Sequence, residues 1–290
     1  MVIAVEQEVF GCFFRAGEQE ERDTAKLRIP LCVSSVFFAR ESFRSDVEAG
    51  IVSAIALVEL EDIESDMDYT LVPAEMKKSV QLAKLIKHLC IEAYDELAGP
   101  DYIRNYFPKV IHIIGSFAFR NNGTFELGTA EGGMKITLYG ANYIDPTNIN
   151  LLNEWYFKTI HHEFTHIFTQ TKEYTSDFQL ISGTSYVGDA WNDYWSSDAD
   201  AQKAGFVSQY ASKEANEDFA ENVCIYLTQS SKQWDAMLTG AGTAGAEIIK
   251  QKFEVVYNYM KDSWNIDLNQ LRDIVQRRSS EIDKLDLENF

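Results

Sequence analysis

The chain has 290 residues, 46% of them hydrophobic, a proportion that is typical of a globular protein and excludes a wholly disordered chain. It carries 45 acidic and 26 basic residues, so its formal net charge is -19. Because such an acidic surface repels phosphate backbones, we expect no nucleic acid partner. The sequence has no apolar run of about 18 residues, so it predicts no transmembrane segment.

The first part of the chain shows no clean hydrophobic period, and residues 1–65 are assigned to an N-terminal segment without a predicted fold. Its opening residues, MVIAVEQEVFGCFF, have no basic region ahead of the apolar patches and give no clear signal peptide. The four cysteines form no CxxC pair, and we expect Cys90 and Cys224 to be buried free thiols. Residues 66–290 are predicted to form the folded domain.

The predicted elements are strands first and then mainly helices, which indicates an α+β fold with a small mixed sheet and a mostly helical C-terminal part. A helix begins near Pro73 and stops at Gly99, where Pro100 follows. Strands are predicted at Lys109–Phe119 and Met134–Tyr139. The other predictions are a turn at Asn121–Gly123, helices over Leu151–Thr169, Asn216–Leu227, Glu247–Met260 and Leu268–Arg278, a loop over 183–200, and a flexible break at Gly240–Gly245.

Three of the five histidines stand at positions 161, 162 and 166, and His162–His166 fits the pattern H-E-x-x-H. Residues four apart on a helix point the same way, so His162 and His166 can bind one metal ion together. Glu163 is offset by about 100° and can reach the water on that metal, which makes it the candidate general base. The alternatives are a surface helix with solvated histidines, or a core histidine held by a carboxylate.

A catalytic zinc site needs a third protein ligand. Glu217 and Glu221 lie one turn apart on the flank of a predicted helix, so one can bind the metal while the other accepts a hydrogen bond from a ligand histidine. We predict Glu217 as the ligand and Glu221 as the hydrogen-bond partner, with Asp218 as the rival ligand. The alternative is an acidic helix start that the helix dipole favours. Tyr210 is the candidate donor to a developing oxyanion, or a packed core residue.

These residues resemble the motifs of zincin metallopeptidases with a glutamate ligand. The E-x-F-A-E pattern of Glu217–Glu221, with His162–His166 and a tyrosine seven residues upstream, resembles the catalytic domain of anthrax lethal factor. That local resemblance implies a zinc ligand at Glu217 and an oxyanion donor at Tyr210.

A longer resemblance runs from about Asp66 to the C-terminus. Met67–Pro73, Leu152–His166 and Gly205–Ser208 with Tyr210–Ala211 resemble the substrate import-associated zinc metallohydrolase lipoproteins of Bacteroidetes. The resemblance implies a zincin-like catalytic domain over 66–290. It also implies a cell-envelope location, periplasmic or lipid-anchored at the outer membrane, and association with an outer-membrane nutrient-uptake system.

By analogy with zincins, extended peptide pairs with the edge of a sheet beside the active-site helix, and Met134–Tyr139 is the candidate edge strand. Trp191, Tyr194 and Trp195 are candidates for a substrate subsite, although such aromatic residues more often cover a core.

The sequence therefore predicts a hydrolase with one zinc ion, most readily a metallopeptidase acting on peptides or proteins. An acidic surface favours basic or neutral peptides. Two alternatives stay open: a protein that binds peptide or glycan for an uptake system without turnover, and a metal that only braces two helices. Iron, cobalt or manganese can occupy similar donor sets.

Overall fold

The computed structural model describes residues 55–57, 71–119, 125–131 and 135–289. The chain divides into two compact units. The first comprises the described residues up to Lys87, Ile103–Pro146 and the residues from Asp286 onward. The second comprises His88–Tyr102 and Thr147–Leu285. Most of the predicted N-terminal segment and the turn at 121–123 lie outside the described residues.

The first unit contains a four-stranded mixed sheet and a two-stranded ribbon. The strands are β1 (Ile55–Leu57), β2 (Val110–Ile113), β3 (Ala118–Phe119), β4 (Phe125–Glu126), β5 (Gly128–Glu131) and β6 (Lys135–Leu138). The sheet order is β1-β2-β6-β5; β1, β2 and β6 run parallel, and β5 is antiparallel to β6. The ribbon is the antiparallel pair β3 and β4. The predicted small mixed sheet is thereby confirmed.

The prediction that Met134–Tyr139 forms an edge strand is wrong. Strand β6 pairs on one side with β2, where Ile136 lies opposite Ile111, and on the other with β5, where Ile136 lies opposite Ala130. The outer strands of the described sheet are β1 and β5, and the β5 sequence Gly-Thr-Ala-Glu lacks the β-branched and aromatic run that marks a strand. This segment is a strand because it pairs with the apolar β6, not because its own sequence favours one.

The predicted strand over Lys109–Phe119 is divided into two. Strand β2 ends at Ile113, and Ala118–Phe119 belongs to the ribbon instead. Gly115 lies where the chain leaves the sheet, and a Cβ there would stand 2.3 Å from the Pro73 carbonyl oxygen. Only glycine permits that approach of two backbone segments.

The helix predicted from Pro73 is confirmed, and it runs from Met76 to Ala98. It consists of α1 (Met76–Ile86), a π-helical turn (Lys87–Ile91) and α2 (Glu92–Ala98), and α3 (Pro100–Tyr106) follows. Gly99 separates α2 from α3 with a φ of 86°, a conformation that favours glycine. Pro100 then begins α3, a position where its missing N–H leaves no backbone bond unmade.

The second unit is helical, as the sequence predicts for the C-terminal part. Its remaining helices are α4 (Ile149–Leu152), α5 (Lys158–Thr171), α6 (Asp177–Ser182), α7 (Trp191–Tyr194), α8 (Asp198–Lys203), α9 (Ala215–Thr228), α10 (Ser231–Gly240), α11 (Gly242–Trp264) and α12 (Leu268–Ser279). A π-helical turn over Asn153–Phe157 joins α4 to α5. The predicted loop over 183–200 contains α7 and the start of α8.

The break predicted over Gly240–Gly245 is confirmed in position but is shorter than predicted. Helix α10 ends at Gly240 and α11 begins at Gly242. Gly245 lies within α11, where a Cβ would stand 2.3 Å from the Gln202 carbonyl oxygen. This glycine therefore serves close packing between α11 and the end of α8 rather than flexibility.

Helix α9 lies at the centre of the second unit. Every residue from Glu217 to Thr228 is buried, and α5 packs along it. The stripe of Phe219, Val223 and Leu227 is fully buried, and each such side chain contributes about 1.5–3 kcal/mol to stability. This packing turns the polar flank of α9 toward α5. Among the described residues, no helix combines the length and apolar character needed to cross a membrane.

Candidate metal centre

One stripe of α5 carries Lys158, His162 and His166 at four-residue steps, so their side chains leave the helix on the same side. This stripe faces α9, whose first turn carries Glu217. His162 is buried, and His166 is partly exposed. Both ends of the stripe are therefore partly exposed, and its middle residue, His162, is buried.

Three donor atoms converge between α5 and α9. The Nε2 atoms of His162 and His166 lie 2.9 and 3.2 Å from the Glu217 Oε2 atom, and 3.0 Å from each other. The structure thus brings together the three residues that the sequence predicts as ligands.

This arrangement fits a zinc ion. In tetrahedral zinc with bonds of about 2.0–2.1 Å, ligand atoms stand about 3.3 Å apart, close to the separations of these three donors. Two imidazole nitrogens and a carboxylate oxygen also form a donor set that zinc accepts. Burial would raise the pKa of Glu217, but its hydrogen bonds to His162 and His166 lower it, so the carboxylate is ionised.

Glu221 on α9 contacts His162 at the ring nitrogen that does not face the other donors. The Oε1 atom of Glu221 lies 3.0 Å from the His162 Nδ1 atom, while its Oε2 atom accepts from Ser208 Oγ at 2.6 Å and pairs with Lys158 Nζ at 2.8 Å. Burial would raise the pKa of Glu221, but Lys158 and His162 lower it. An ionised Glu221 keeps a proton on His162 Nδ1 and leaves Nε2 to face the other donors.

His162, Glu221 and Cys224 also lie close enough to suggest a metal site. The Cys224 sulfur stands 3.5 Å from Glu221 Oε1 and 4.0 Å from His162 Nδ1. Burial raises the pKa of Cys224 to about 11, so the thiol stays protonated and is a poor ligand. Lys158 already neutralises Glu221, so we interpret this group as the supporting layer of the main site. The prediction that Cys90 and Cys224 are buried free thiols is confirmed.

Tyr210 lies beside the three donors, on a 3-10 turn that precedes α9. Its ring centroid is 5.8 Å from that of His162. Burial is the largest cause of its raised pKa, followed by Glu217, to which it is hydrogen-bonded, and Glu163 also contributes. Tyr210 is therefore a neutral hydroxyl near both carboxylates, and Glu163 is partly exposed on α5 within electrostatic range of it.

Asp218, the rival ligand, is engaged elsewhere. Its Oδ2 atom lies 2.6 Å from Lys252 Nζ and accepts from the Tyr186 hydroxyl at 2.9 Å. Burial raises the pKa of Asp218 to about 6, against the lowering effect of Lys252. Lys252 also donates to the Gly205 carbonyl oxygen at 2.8 Å, so the pair ties α11 and the segment before Tyr210 to α9.

The three candidate subsite aromatics have different surroundings. Trp191 packs edge-on against Tyr210, with ring centroids 5.0 Å apart. Trp195 donates from Nε1 to Ser212 Oγ at 2.7 Å, which fixes the turn that carries Tyr210. Tyr194 is 63% exposed and packs on Trp195. Trp191 is thus the one of the three in contact with a residue of the candidate site.

A cleft of about 750 Å³ opens beside His166. It is lined by His166, Thr169, Gln170, Glu173, Tyr174, Ser176, Gln179, Glu214 and Asn216. Two of these residues are acidic and none is a lysine or arginine, so the cleft has a negative lining. The Tyr174 hydroxyl donates to Asn216 Oδ1 at 2.6 Å, and its ring stacks on Phe219, which fixes one wall on α9.

Sequence reasoning missed three polar neighbours of the site. Lys158 stands four residues before His162 and Lys213 four before Glu217, so helical spacing could have indicated both. Ser208 has no comparable signal, because its contact with Glu221 depends on how residues 205–213 fold back onto α9.

The structure is that of an α+β protein in which two histidines and one glutamate lie close enough together to hold a metal ion. The profile of a family described as "Putative zinc-binding metallo-peptidase" matches residues 56–269, and the chain belongs to this family. A crystal structure of a protein of the same description, from Bacteroides caccae, is 43% identical in sequence. The alignment covers 88% of this chain and 99% of that one, with a TM-score of 0.71. Among curated proteins, none matches this chain.

Proposed function

We propose that the protein is a zinc-dependent peptidase in which His162, His166 and Glu217 hold the metal. The observation that carries the proposal is the convergence of two imidazole nitrogens and one carboxylate oxygen within 3.2 Å of one another. Membership of the zinc-binding metallopeptidase family supports it. When bound, zinc would polarise the substrate carbonyl and make a water molecule more acidic.

The chain's own residues supply the remaining chemistry. Glu163 accepts a proton from the attacking water on its carboxylate and delivers it to the leaving amine. Tyr210, whose raised pKa keeps its hydroxyl protonated, donates to the carbonyl oxygen as negative charge develops there. Glu221 orients His162, and Lys158 and Ser208 hold Glu221 in place.

The cleft beside His166 supports a peptide as the substrate. Its volume of about 750 Å³ accommodates several side chains, and its polar lining offers donors and acceptors to a peptide backbone. Because Glu173 and Glu214 line it, we propose that basic or neutral peptides bind there in preference to acidic ones.

The test is cleavage of a mixture of unstructured peptides, followed by mass spectrometry, with wild type and Glu163→Gln. We expect the variant to keep one zinc per chain and to lose at least about 100-fold in rate, because general-base catalysis typically contributes about 10²–10⁴-fold. Glu154→Gln, an exposed change on the turn before α5, is the matched control and should cleave normally. Wild-type rates in Glu163→Gln would contradict the role of Glu163, and zinc-loaded wild type that binds peptides without cleaving them would show a binding protein.

We also propose, from the resemblance to the lipoprotein family, that the protein acts in the cell envelope beside a nutrient-uptake system. Fractionation of the native cells with an antibody to the protein tests this location. Recovery in the cytoplasmic fraction alone would contradict it, without affecting the proposed chemistry.

A further inference from the structure

The two oxygens of Glu217 have separate partners. Oε2 faces the histidines, at 2.9 Å from His162 Nε2 and 3.2 Å from His166 Nε2. Oε1 accepts from Lys213 Nζ at 3.1 Å. The carboxylate therefore presents one oxygen to the metal position and the other to a fixed cation.

Lys213 is held in this position by its surroundings. Its backbone N–H donates to the Tyr210 carbonyl oxygen at 3.0 Å, and its own carbonyl oxygen accepts from Gly188 N–H at 3.1 Å. Its ammonium group lies 5.4 Å from the centroid of the Tyr210 ring. The side chain is 28% exposed and that of Glu217 is 11% exposed, so this pair is largely shielded from water.

A carboxylate near a zinc ion can bind through one oxygen or through both. A second oxygen would occupy space that a catalytic site keeps for water and substrate. A cation bound to Oε1 opposes that second bond, because it engages one lone pair of the oxygen and because the ammonium group repels a divalent ion placed closer to it.

We propose that Lys213 is a positioning residue that restricts Glu217 to one-oxygen binding of the metal. This inference rests on the proposed zinc peptidase. In this arrangement Lys213 acts on the metal position through the carboxylate of Glu217. Removing its ammonium group should let both oxygens bind zinc, giving a protein that holds the metal at least as tightly but works more slowly.

The experiment compares purified wild type, Lys213→Met and Lys213→Arg, each loaded with one equivalent of zinc, and measures zinc coordination by X-ray absorption. Loading with cobalt gives a visible spectrum that reports coordination number separately. We expect one Glu217 oxygen on the metal in wild type and Lys213→Arg, and two in Lys213→Met. The zinc Kd of Lys213→Met should be equal or lower, while its cleavage rate should fall about tenfold, the size typical of changes around a metal site.

Lys203→Met is the matched control, since it removes a surface lysine that pairs with Asp200 and should change neither spectrum nor rate. Two-oxygen binding in wild type, or identical spectra in wild type and Lys213→Met, would overturn the role of Lys213 and leave the peptidase proposal standing. Wild type that binds no zinc would overturn both. If Lys213→Met does not fold, the spectrum of wild type still decides between one and two bound oxygens.

Discussion

The two faces of helix α5 show how adjacent histidines acquire opposite roles. His162 faces α9 and lies between the carboxylates of Glu217 and Glu221. His161 points into an aromatic cluster, where its Nδ1 atom lies 3.2 Å from the Tyr94 hydroxyl. A step of one residue turns a side chain by about 100° around the helix, and that turn separates a polar site from a core.

The surroundings move the two pKa values in opposite directions. Burial lowers the pKa of His161 to about 4, and its Nε2 atom has no hydrogen-bond partner in the described part of the chain. Burial would also lower the pKa of His162, but hydrogen bonds with Cys224, Glu217 and Glu221 outweigh it and raise the pKa. The two adjacent histidines therefore differ in the groups that face each ring, and only His162 faces carboxylates.

The largest expected effect comes from removing a donor on the polar face. We expect His166→Ala to lower zinc affinity by about 1,000-fold or more, because loss of a ligand exceeds the 10–100-fold typical of its supporting partners. Metal content after dialysis against a weak chelator measures this. His161→Gln is the matched control on the other face and should keep one zinc per chain. Equal zinc content in His166→Ala and wild type would contradict the ligand set of His162, His166 and Glu217.

The next effect lies on the apolar face. Phe168 is fully buried, with ring centroids 4.2 Å from Phe164 and 4.8 Å from Trp264. Phe168→Ala should lower the free energy of unfolding by about 3–5 kcal/mol, since truncating a buried phenylalanine leaves a cavity. Urea unfolding measures it, with Leu180→Ala, an exposed position, as a control expected to stay within about 0.5 kcal/mol. A loss of similar size in both variants would mean that the cluster does not stabilise the fold.

Local spacing was sufficient to predict the polar face of α5. The four-residue step between His162 and His166 places both on one side of a helix, and the apolar stripe of α9 fixes Glu217 and Glu221 on its flank. The α+β class, the mixed sheet and the helical C-terminal part followed from the order of apolar patterns in the same way.

The rest depends on contacts between distant parts of the chain. The ion pair of Asp218 with Lys252 joins two helices 34 positions apart in sequence, and neither residue signals the other. The order of the sheet likewise depends on β6 pairing with β2, although β3, β4 and β5 lie between them in sequence, and a short polar strand, Gly128–Glu131, forms one of the two edges. Periodicity predicts which face is apolar but does not indicate which partner covers it.

Burial of His161 makes the stability of the folded chain depend on pH. Its pKa is about 4 in the folded chain and 6.5 in an ordinary histidine, so the unfolded chain binds more protons between these values and stability is lost as pH falls from 6.5 through 4. The expected loss by pH 4 is about 3 kcal/mol. Urea unfolding of wild type and His161→Gln, both with chelator so that no metal contributes, should show a smaller loss in the variant. Parallel curves from pH 7 to 4 would show that His161 does not titrate in this way.

The smallest effect concerns the residue that supports His162 without binding metal. In Glu221→Gln the neutral amide oxygen accepts from His162 Nδ1 more weakly than the carboxylate does, and the ammonium group of Lys158 loses its anionic partner. We expect zinc affinity to fall about tenfold. Competition with a chelator of known affinity measures the change, and Glu247→Gln, an exposed residue on α11, makes the same change of charge away from the site. An equal loss of zinc affinity in both variants would attribute the effect to net charge. A loss confined to Glu221→Gln would show that the metal site depends on the carboxylate at His162 Nδ1 as well as on the three donor atoms.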